Sequence, residues 1–358
     1  MANSVHAMKM CQALAKHAGM VELLARTHSR AMDLSELYCR YGVTETFTLE
    51  LIKIPRIRGA SFLTIPAIWR FLRKRHTRHT LVFARDHIGA FSAIKLGYPV
   101  IFESHGLPTS QYVRWIENKL FGHPSLKKLV VISEALKSLY RDNFDVLPET
   151  IEVHHDAADI PEDGESDPPT MNSGRPLRVG YIGHLYKGRG IEIILAAAAQ
   201  LHDYEFHIYG GLRSDIESWA RQGPPNAIFH GHIDPVKTTA ARADSDILVM
   251  PYQEDLAVAG RDVNTSTWMS PMKLFEYMSA RRPIISSDLP VLREVLNDQN
   301  AILAPPQDTA AWVHALRRLS DPLLRGRLAD QAYSDFVRKY TWDKRAESIL
   351  GNLEFLAD

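Results

Sequence analysis

The chain has 358 residues, about two domains' worth, and its 45% hydrophobic content is enough for a core in each. Its 42 basic and 42 acidic residues cancel, so the bulk charge gives no sign of a nucleic-acid partner. Cys11 and Cys39 form no C-x-x-C pair, which argues against a disulfide framework or a zinc site. No apolar run reaches the length of roughly 18 residues that a membrane span needs, and residues 1–10 hold no signal core. The expected location is cytoplasmic.

The chain opens on a helical segment, Val5–His17, with no strand before it. Strands are predicted at Val21–Ala25, Phe47–Ile52, Leu81–Arg85, Val100–Glu103, Leu129–Ser133 and Ile151–His154. Ala157–Pro176 is rich in Asp, Glu, Pro, Gly and Ser and reads as a linker. Six more strands follow at Leu177–Gly183, Glu205–Gly210, Ala227–Gly231, Ile247–Tyr252, Pro283–Ser287 and Ala301–Ala304. Most of these runs are continuously apolar, the pattern of strands buried on both faces of a parallel sheet. Helical segments lie between them, as βαβ crossovers require. The predicted fold is α/β, with two doubly wound, Rossmann-like domains facing a cleft and the first domain one strand short. The expected boundaries are 1–160, a linker at 161–176, 177–340, and a C-terminal helix at 341–358 that crosses back to the first domain.

Two segments carry chemistry. Gly183-His184-Leu185-Tyr186-Lys187-Gly188-Arg189-Gly190 follows a strand and precedes an alanine-rich helix, Ile191–Leu201. Glycines let backbone N–H groups approach oxygen atoms, a helix start favours negative charge, and Lys187 and Arg189 add cations. A tight turn with solvated basic residues fits the same letters. The spacing is neither G-x-G-x-x-G nor a P-loop, which disfavours a dehydrogenase or an NTPase. In the second segment, Ser270-Pro271 resembles a capped helix start, with Lys273 in the first turn and Glu276 one turn on. A cation and free N–H groups suit a diphosphate, and a carboxylate suits vicinal ribose hydroxyls. An ordinary amphipathic helix with a Lys–Glu pair would look alike.

The run from Ser270 through Met278, with Arg282-Pro283-Ile284-Ile285-Ser286-Ser287-Asp288-Leu289-Pro290 and Arg293-Glu294-Val295-Leu296, resembles the donor-binding motif of family-4 retaining glycosyltransferases of GT-B fold. The resemblance covers nearly the whole chain. Met8–Ala15 is similar to the first helix of the family, Val100–Gly106 to its strand and catalytic-histidine loop, Val131–Glu134 to the next strand turn, and Ala243–Pro251 to the strand before the donor helix. Tyr340-Thr341-Trp342 onward resembles its returning C-terminal helix.

The resemblance implies a sugar transfer from a nucleotide-sugar donor, a UDP- or GDP-sugar, to a glycan or lipid-linked acceptor in polysaccharide or glycolipid synthesis. It implies catalytic roles for His105, Arg189 and Lys273. Donor contacts are implied for Gly183, His184, Lys187, Ser270, Pro271, Met272 and Glu276. His87, in Arg85-Asp86-His87, is a second candidate at the cleft edge. Two departures stand out. The first glutamate of the family's E-x7-E pair is replaced by Trp268, and the arginine after the first loop glycine by His184. No other cofactor and no metal is expected; Asp244-Ser245-Asp246 resembles a metal-binding D-x-D but precedes a buried strand. A non-catalytic nucleotide-sugar-binding protein and a GT-B epimerase are the alternatives.

Relatives begin with a strand and a glycine-containing loop ahead of this chain's first helix, so an upstream start is expected. From Leu51 to Arg85 there are nine Lys or Arg and no acid. Trp69, Phe71 and Leu72 alternate with the charges, as in helices lying on anionic lipid, which predicts peripheral contact with the inner face of a membrane.

Overall fold

The computed structural model describes residues 2–28, 33–57, 59–75, 79–161, 174–256, 264–351 and 353. The expected linker at 161–176 lies outside the described residues over 162–173. The chain forms two compact units, Met1–His155 with Trp342–Asp358, and Asp156–Thr341.

In chain order the first unit contains α1 (Ala2–Leu14), β1 (Glu22–Thr27), α2 (Leu34–Arg40), β2 (Thr48–Lys53), α3 (Ile65–Arg73), β3 (Val82–Ala84), α4 (His87–Lys95), β4 (Val100–Ser104), α5 (Gln111–Phe121), β5 (Leu126–Val131), α6 (Glu134–Asn143) and β6 (Ile151–Val153). The second contains β7 (Leu177–Ile182), α7 (Ile191–Ala198), β8 (Tyr204–Tyr209), α8 (Arg213–Ala220), β9 (Ala227–Gly231), α9 (Pro235–Ala243), β10 (Ile247–Met250), α10 (Met272–Ser279), β11 (Ile284–Ser287), β12 (Ile302–Ala304), α11 (Thr309–Arg318) and α12 (Pro322–Lys339). The chain then returns to the first unit as α13 (Trp342–Leu350), which packs on α1.

Each predicted strand is present, and every pairing is parallel. In the second unit the order is β12-β11-β10-β7-β8-β9. The order reverses between β7 and β10, and in such sheets ligands bind beyond the carboxyl ends of the strands at that switch point. β10 is buried at every residue, as its unbroken apolar run requires, and β11 is buried throughout although it ends on Ser286 and Ser287. β8 alternates instead: Tyr204, Phe206 and Ile208 enter the core while Glu205, His207 and Tyr209 stay half-buried on the other face.

The first unit's strands form two separate sheets, β1-β2 and β3-β4-β5-β6. No backbone ladder among the described residues joins β1 to β3. Side chains bridge near them: Arg26 Nη2 lies 2.7 Å from Asp86 Oδ2. All six residues of β1 and two of the three in β3 are only half-buried, whereas β4 is buried throughout.

The hydrophobic residues that alternate with cations on α3 take different environments. Leu72 is buried and Trp69 donates its indole N–H to Ser92 Oγ at 3.1 Å. Phe71 lies under the Arg75 guanidinium, 3.8 Å from its ring centre. Ile68 and Leu72, at i and i+4, share the face that packs inward.

Candidate active site

In the second unit the site is assembled from the loops that follow β7 and β10, together with the start of α10. Gly190 caps α7 at φ 74°, a left-handed conformation suited to glycine, and a Cβ there would lie 1.9 Å from the Pro251 carbonyl oxygen. This close approach locks the basic loop against the end of β10. Gly183 serves a different contact: a Cβ would lie 2.3 Å from Lys273 Nζ. The Ile182 N–H donates to Tyr277 Oη at 2.9 Å, which ties α10 to the end of β7.

The electrostatics centre on two cations and two tyrosines. Lys273 Nζ is buried with no hydrogen-bond partner among the described residues. It sits 3.9 Å from the centre of the Tyr181 ring and 5.4 Å from that of Tyr252. The Arg189 guanidinium lies 5.0 Å from the same Tyr252 ring, and its Nε is also buried and unpaired. Burial, then the charge of Arg189, holds the Lys273 ammonium well below the ordinary lysine pKa, against the pull of Glu276. Ring faces return part of the desolvation cost of a cation but supply no negative charge. An anion would supply it, and Lys273 itself lies in the first turn of α10, whose start favours negative charge.

Around this cluster the expected donor residues separate. Glu276 is partly exposed and its Oε2 lies 3.3 Å from Arg242 Nη1, which leaves carboxylate capacity for two hydroxyls. His184 stacks on Tyr186 with ring centres 4.8 Å apart. Loss of solvent around its ring, with Arg189 and Lys273 nearby, lowers its pKa. Lys187 points away into solvent and pairs with Asp255 at 3.2 Å, so Arg189 is the loop cation that joins the cluster. Pro271, expected inside the first turn, is itself the N-cap of α10, with Met272 the first helical residue. Ser270 does not cap α10; its Oγ accepts the Asp156 N–H at 2.9 Å. Local sequence placed the hydroxyl at a helix start, but a backbone donor from far along the chain claims it.

Asp246 of the D-x-D triplet is committed to structure. Its oxygens take a two-pronged contact from Arg175 at 2.7 and 3.1 Å and the Arg178 N–H at 2.8 Å.

In the first unit the end of β4 carries Glu103 and His105, two residues apart and on the same face. Glu103 is fully buried. Its oxygens lie 2.6 Å from His105 Nε2, 3.1 Å from Arg85 Nε, 3.0 Å from Arg345 Nη1 and 3.4 Å from His6 Nε2. Burial favours the neutral acid, but Arg345, His6 and His105 outweigh it and hold the carboxyl well below its ordinary range. His105 Nε2 lies between Glu103 Oε1 at 2.6 Å and Arg85 Nη2 at 2.8 Å, and the two contacts fix the position of the ring. His87 is held comparably, its Nε2 2.8 Å from Oε1 of the buried Glu117, an oxygen also bonded by Tyr140. Glu103, Arg85, Arg345, Tyr181, Tyr252 and Arg242 were not singled out from sequence. Only Glu103 left a signal there, its i, i+2 spacing to His105.

Comparison with known proteins bears on this arrangement. Residues 4–160 match the profile described as Glycosyltransferase Family 4, and residues 176–321 match Glycosyl transferases group 1. The chain is 28% identical over 218 residues to a phosphatidyl-myo-inositol mannosyltransferase of Mycobacterium leprae, covering 56% of this chain. It spans 54% of that relative's length and 27% of the other curated protein it matches. Among solved structures, sucrose-phosphate synthase from Thermosynechococcus elongatus superposes with a TM-score of 0.71 at 16% identity, over 99% of this chain and 94% of the other. Anabaena Alr3699/HepE in complex with UDP and glucose superposes with a TM-score of 0.66 at 13% identity, over 98% and 95%. Matched profiles on both units, a switch-point cation site in one and a His-bearing strand end in the other agree: this chain belongs to the family-4 glycosyltransferases of GT-B fold.

Proposed function

We propose that the protein transfers a sugar from a UDP- or GDP-sugar to a glycan or lipid-linked acceptor, with retention at the anomeric carbon and without a required metal ion. The observation that carries this reading is Lys273, a buried ammonium with no hydrogen-bond partner among the described residues, over two tyrosine faces and beside a second cation. A diphosphate supplies the missing charge. Glu276 takes the ribose hydroxyls, and the turn around Gly183 and His184 lets the pyrophosphate approach the backbone. The UDP bound to HepE, a structural neighbour, supports a donor of this class.

As the bond from the anomeric carbon to the phosphate oxygen breaks, its electron pair moves onto the leaving diphosphate. Lys273, Arg189 and the α10 N–H groups stabilise that growing charge, and fixed groups do so with little reorganisation. The acceptor hydroxyl attacks the same face and its proton passes to the departing phosphate. His105, oriented by Glu103, is assigned to the transferred sugar. A cytoplasmic location, peripheral at the inner membrane face, belongs to the same reading.

Thermal-shift screening with UDP, GDP and ADP, followed by a nucleotide-sugar panel with and without acceptor extracts, tests it. Acceptor-dependent transfer with retained anomeric configuration is expected. Nucleotide binding without transfer would favour a non-catalytic binding protein, the reading that Trp268 in place of the family's glutamate suggests. Isomerised sugar would favour an epimerase.

A further inference from the structure

We propose that the outer face of α3, α4 and α5, with the turn before α3, is a docking surface for an anionic lipid bilayer, and that Phe62, Leu63, Tyr112 and Trp115 enter its interface. This deepens the membrane location proposed above and rests on it for its purpose. Its footing in the structure is separate.

The first observation is charge. From Lys53 to Lys119 the sequence holds twelve Lys or Arg and three acids. The structure withdraws two of those acids from the surface and pairs the third, which stays partly exposed. Glu103 and Glu117 are buried, and Asp86 is paired with Arg26 at 2.7 Å. Arg75 is neutralised by Glu22 and Glu50 and adds nothing. Arg56, Arg70, Arg73, Lys74, Lys95 and Lys119 are exposed. A face of one sign is attracted to an anionic surface within a Debye length, about 8 Å at physiological salt.

The second observation is apolar. Phe62 is 45% exposed, Leu63 62%, Tyr112 47% and Trp115 49%, side chains that a folded protein usually covers. They are contiguous: Phe62 and Tyr112 are 5.2 Å apart, Tyr112 and Trp115 6.2 Å, and Trp115 and Phe91 5.7 Å. Lys95 lies over Phe91, and Arg73 over Trp69. Cations thus flank an aromatic strip that crosses from the turn to α5. Aromatic rings prefer the headgroup level of a membrane, where one edge is apolar and the other wet. A soluble polyanion would engage the cations but gain nothing from Leu63 and Phe62, so the combination selects a bilayer.

The test is vesicle flotation of the full chain, with phosphatidylglycerol–phosphatidylcholine vesicles set against phosphatidylcholine alone. The wild type should float with the anionic vesicles and not the neutral ones. The F62S/L63S/W115S variant should lose binding by at least about tenfold, and R70E/R73E by a comparable factor that shrinks at high salt. All three changed apolar side chains are exposed, so an unchanged melting temperature serves as the control for folding. Wild type that stays with the soluble fraction overturns the proposal. So does an aromatic variant that binds as well as wild type, or RNA competing away the vesicles while that variant still binds RNA normally. UDP binding measured in parallel separates failure of this surface from failure of the donor-site reading.

Discussion

The two units bury charge in opposite ways. Glu103 in the first is surrounded by N–H groups from His105, Arg85 and Arg345, with His6 close by. Lys273 in the second has two ring faces and a neighbouring cation but no carboxylate in hydrogen-bond reach among the described residues. A buried charge that is fully met holds its surroundings in place, and removing it is costly. A buried charge left unmet is expensive in the free protein and becomes favourable only when a partner arrives. Glu103 is therefore a scaffold for His105, whereas Lys273 keeps a buried charge without a hydrogen-bond partner among the described residues, the feature on which the proposed donor site rests.

That contrast can be broken by mutation. The largest expected effect is Glu103→Gln, which leaves Arg85 and Arg345 without their counter-charge and should cost about 3–5 kcal/mol of stability in urea unfolding. Lys273→Met should do the reverse. It should leave the melting temperature unchanged or raised, while transfer falls on the order of a hundred- to thousandfold, the scale for losing one preorganised charge at a transition state. If Lys273→Met instead unfolds the protein, the ammonium has a structural partner and the contrast fails.

The pH dependences sharpen it. The folded-state pKa of Glu103 is depressed, so its stabilisation is present above the ordinary carboxyl value of 4.5 and is lost as pH falls below it. The folded-state pKa of Lys273 is also depressed, but for an amine this has the opposite meaning. The unfolded chain binds more protons, so stability rises with pH up to the ordinary value of 10.5. A bound diphosphate favours the ammonium, so UDP affinity should fall with rising pH, beginning well below 10.5. Calorimetric titration of wild type and Lys273→Met across alkaline pH checks this; the variant should lose the slope.

Gly183→Ala should weaken UDP binding by roughly tenfold, because the added methyl displaces the Lys273 tip that packs against that glycine. The smallest effect belongs to Lys187→Ala, under about threefold in UDP affinity, since its pair with Asp255 is exposed on both sides.

Much of this was legible along the chain. Most of the strands are apolar runs of the length expected of a sheet covered on both faces, and the glycine loop between β7 and α7 announces a close approach of backbone to something. Lys273, Arg189 and His105 drew notice in the sequence because their types and positions at strand ends and a helix start suit chemistry. Ser270 was misjudged because a hydroxyl ahead of a helix is a cap unless something else claims it, and Asp156, which does, is remote in sequence. Local order is equally silent on how the hydrophobic residues of α3 divide. Hydrophobic letters interleaved with arginines do not say which of them turn inward, and Ile68 and Leu72 do.

By itself, then, the amino-acid order determined local matters: strand lengths, the position of the flexible turns, and which loops hold positive charge, because each depends on neighbours a few residues apart. Only folding decided which charges are answered. Tyr181 and Tyr252 come under Lys273, and Arg345 reaches Glu103, through contacts between segments dozens to hundreds of residues apart. Burial then turns an unremarkable lysine and an unremarkable glutamate into the two most informative groups in the molecule, since the cost of a charge depends on what surrounds it in space.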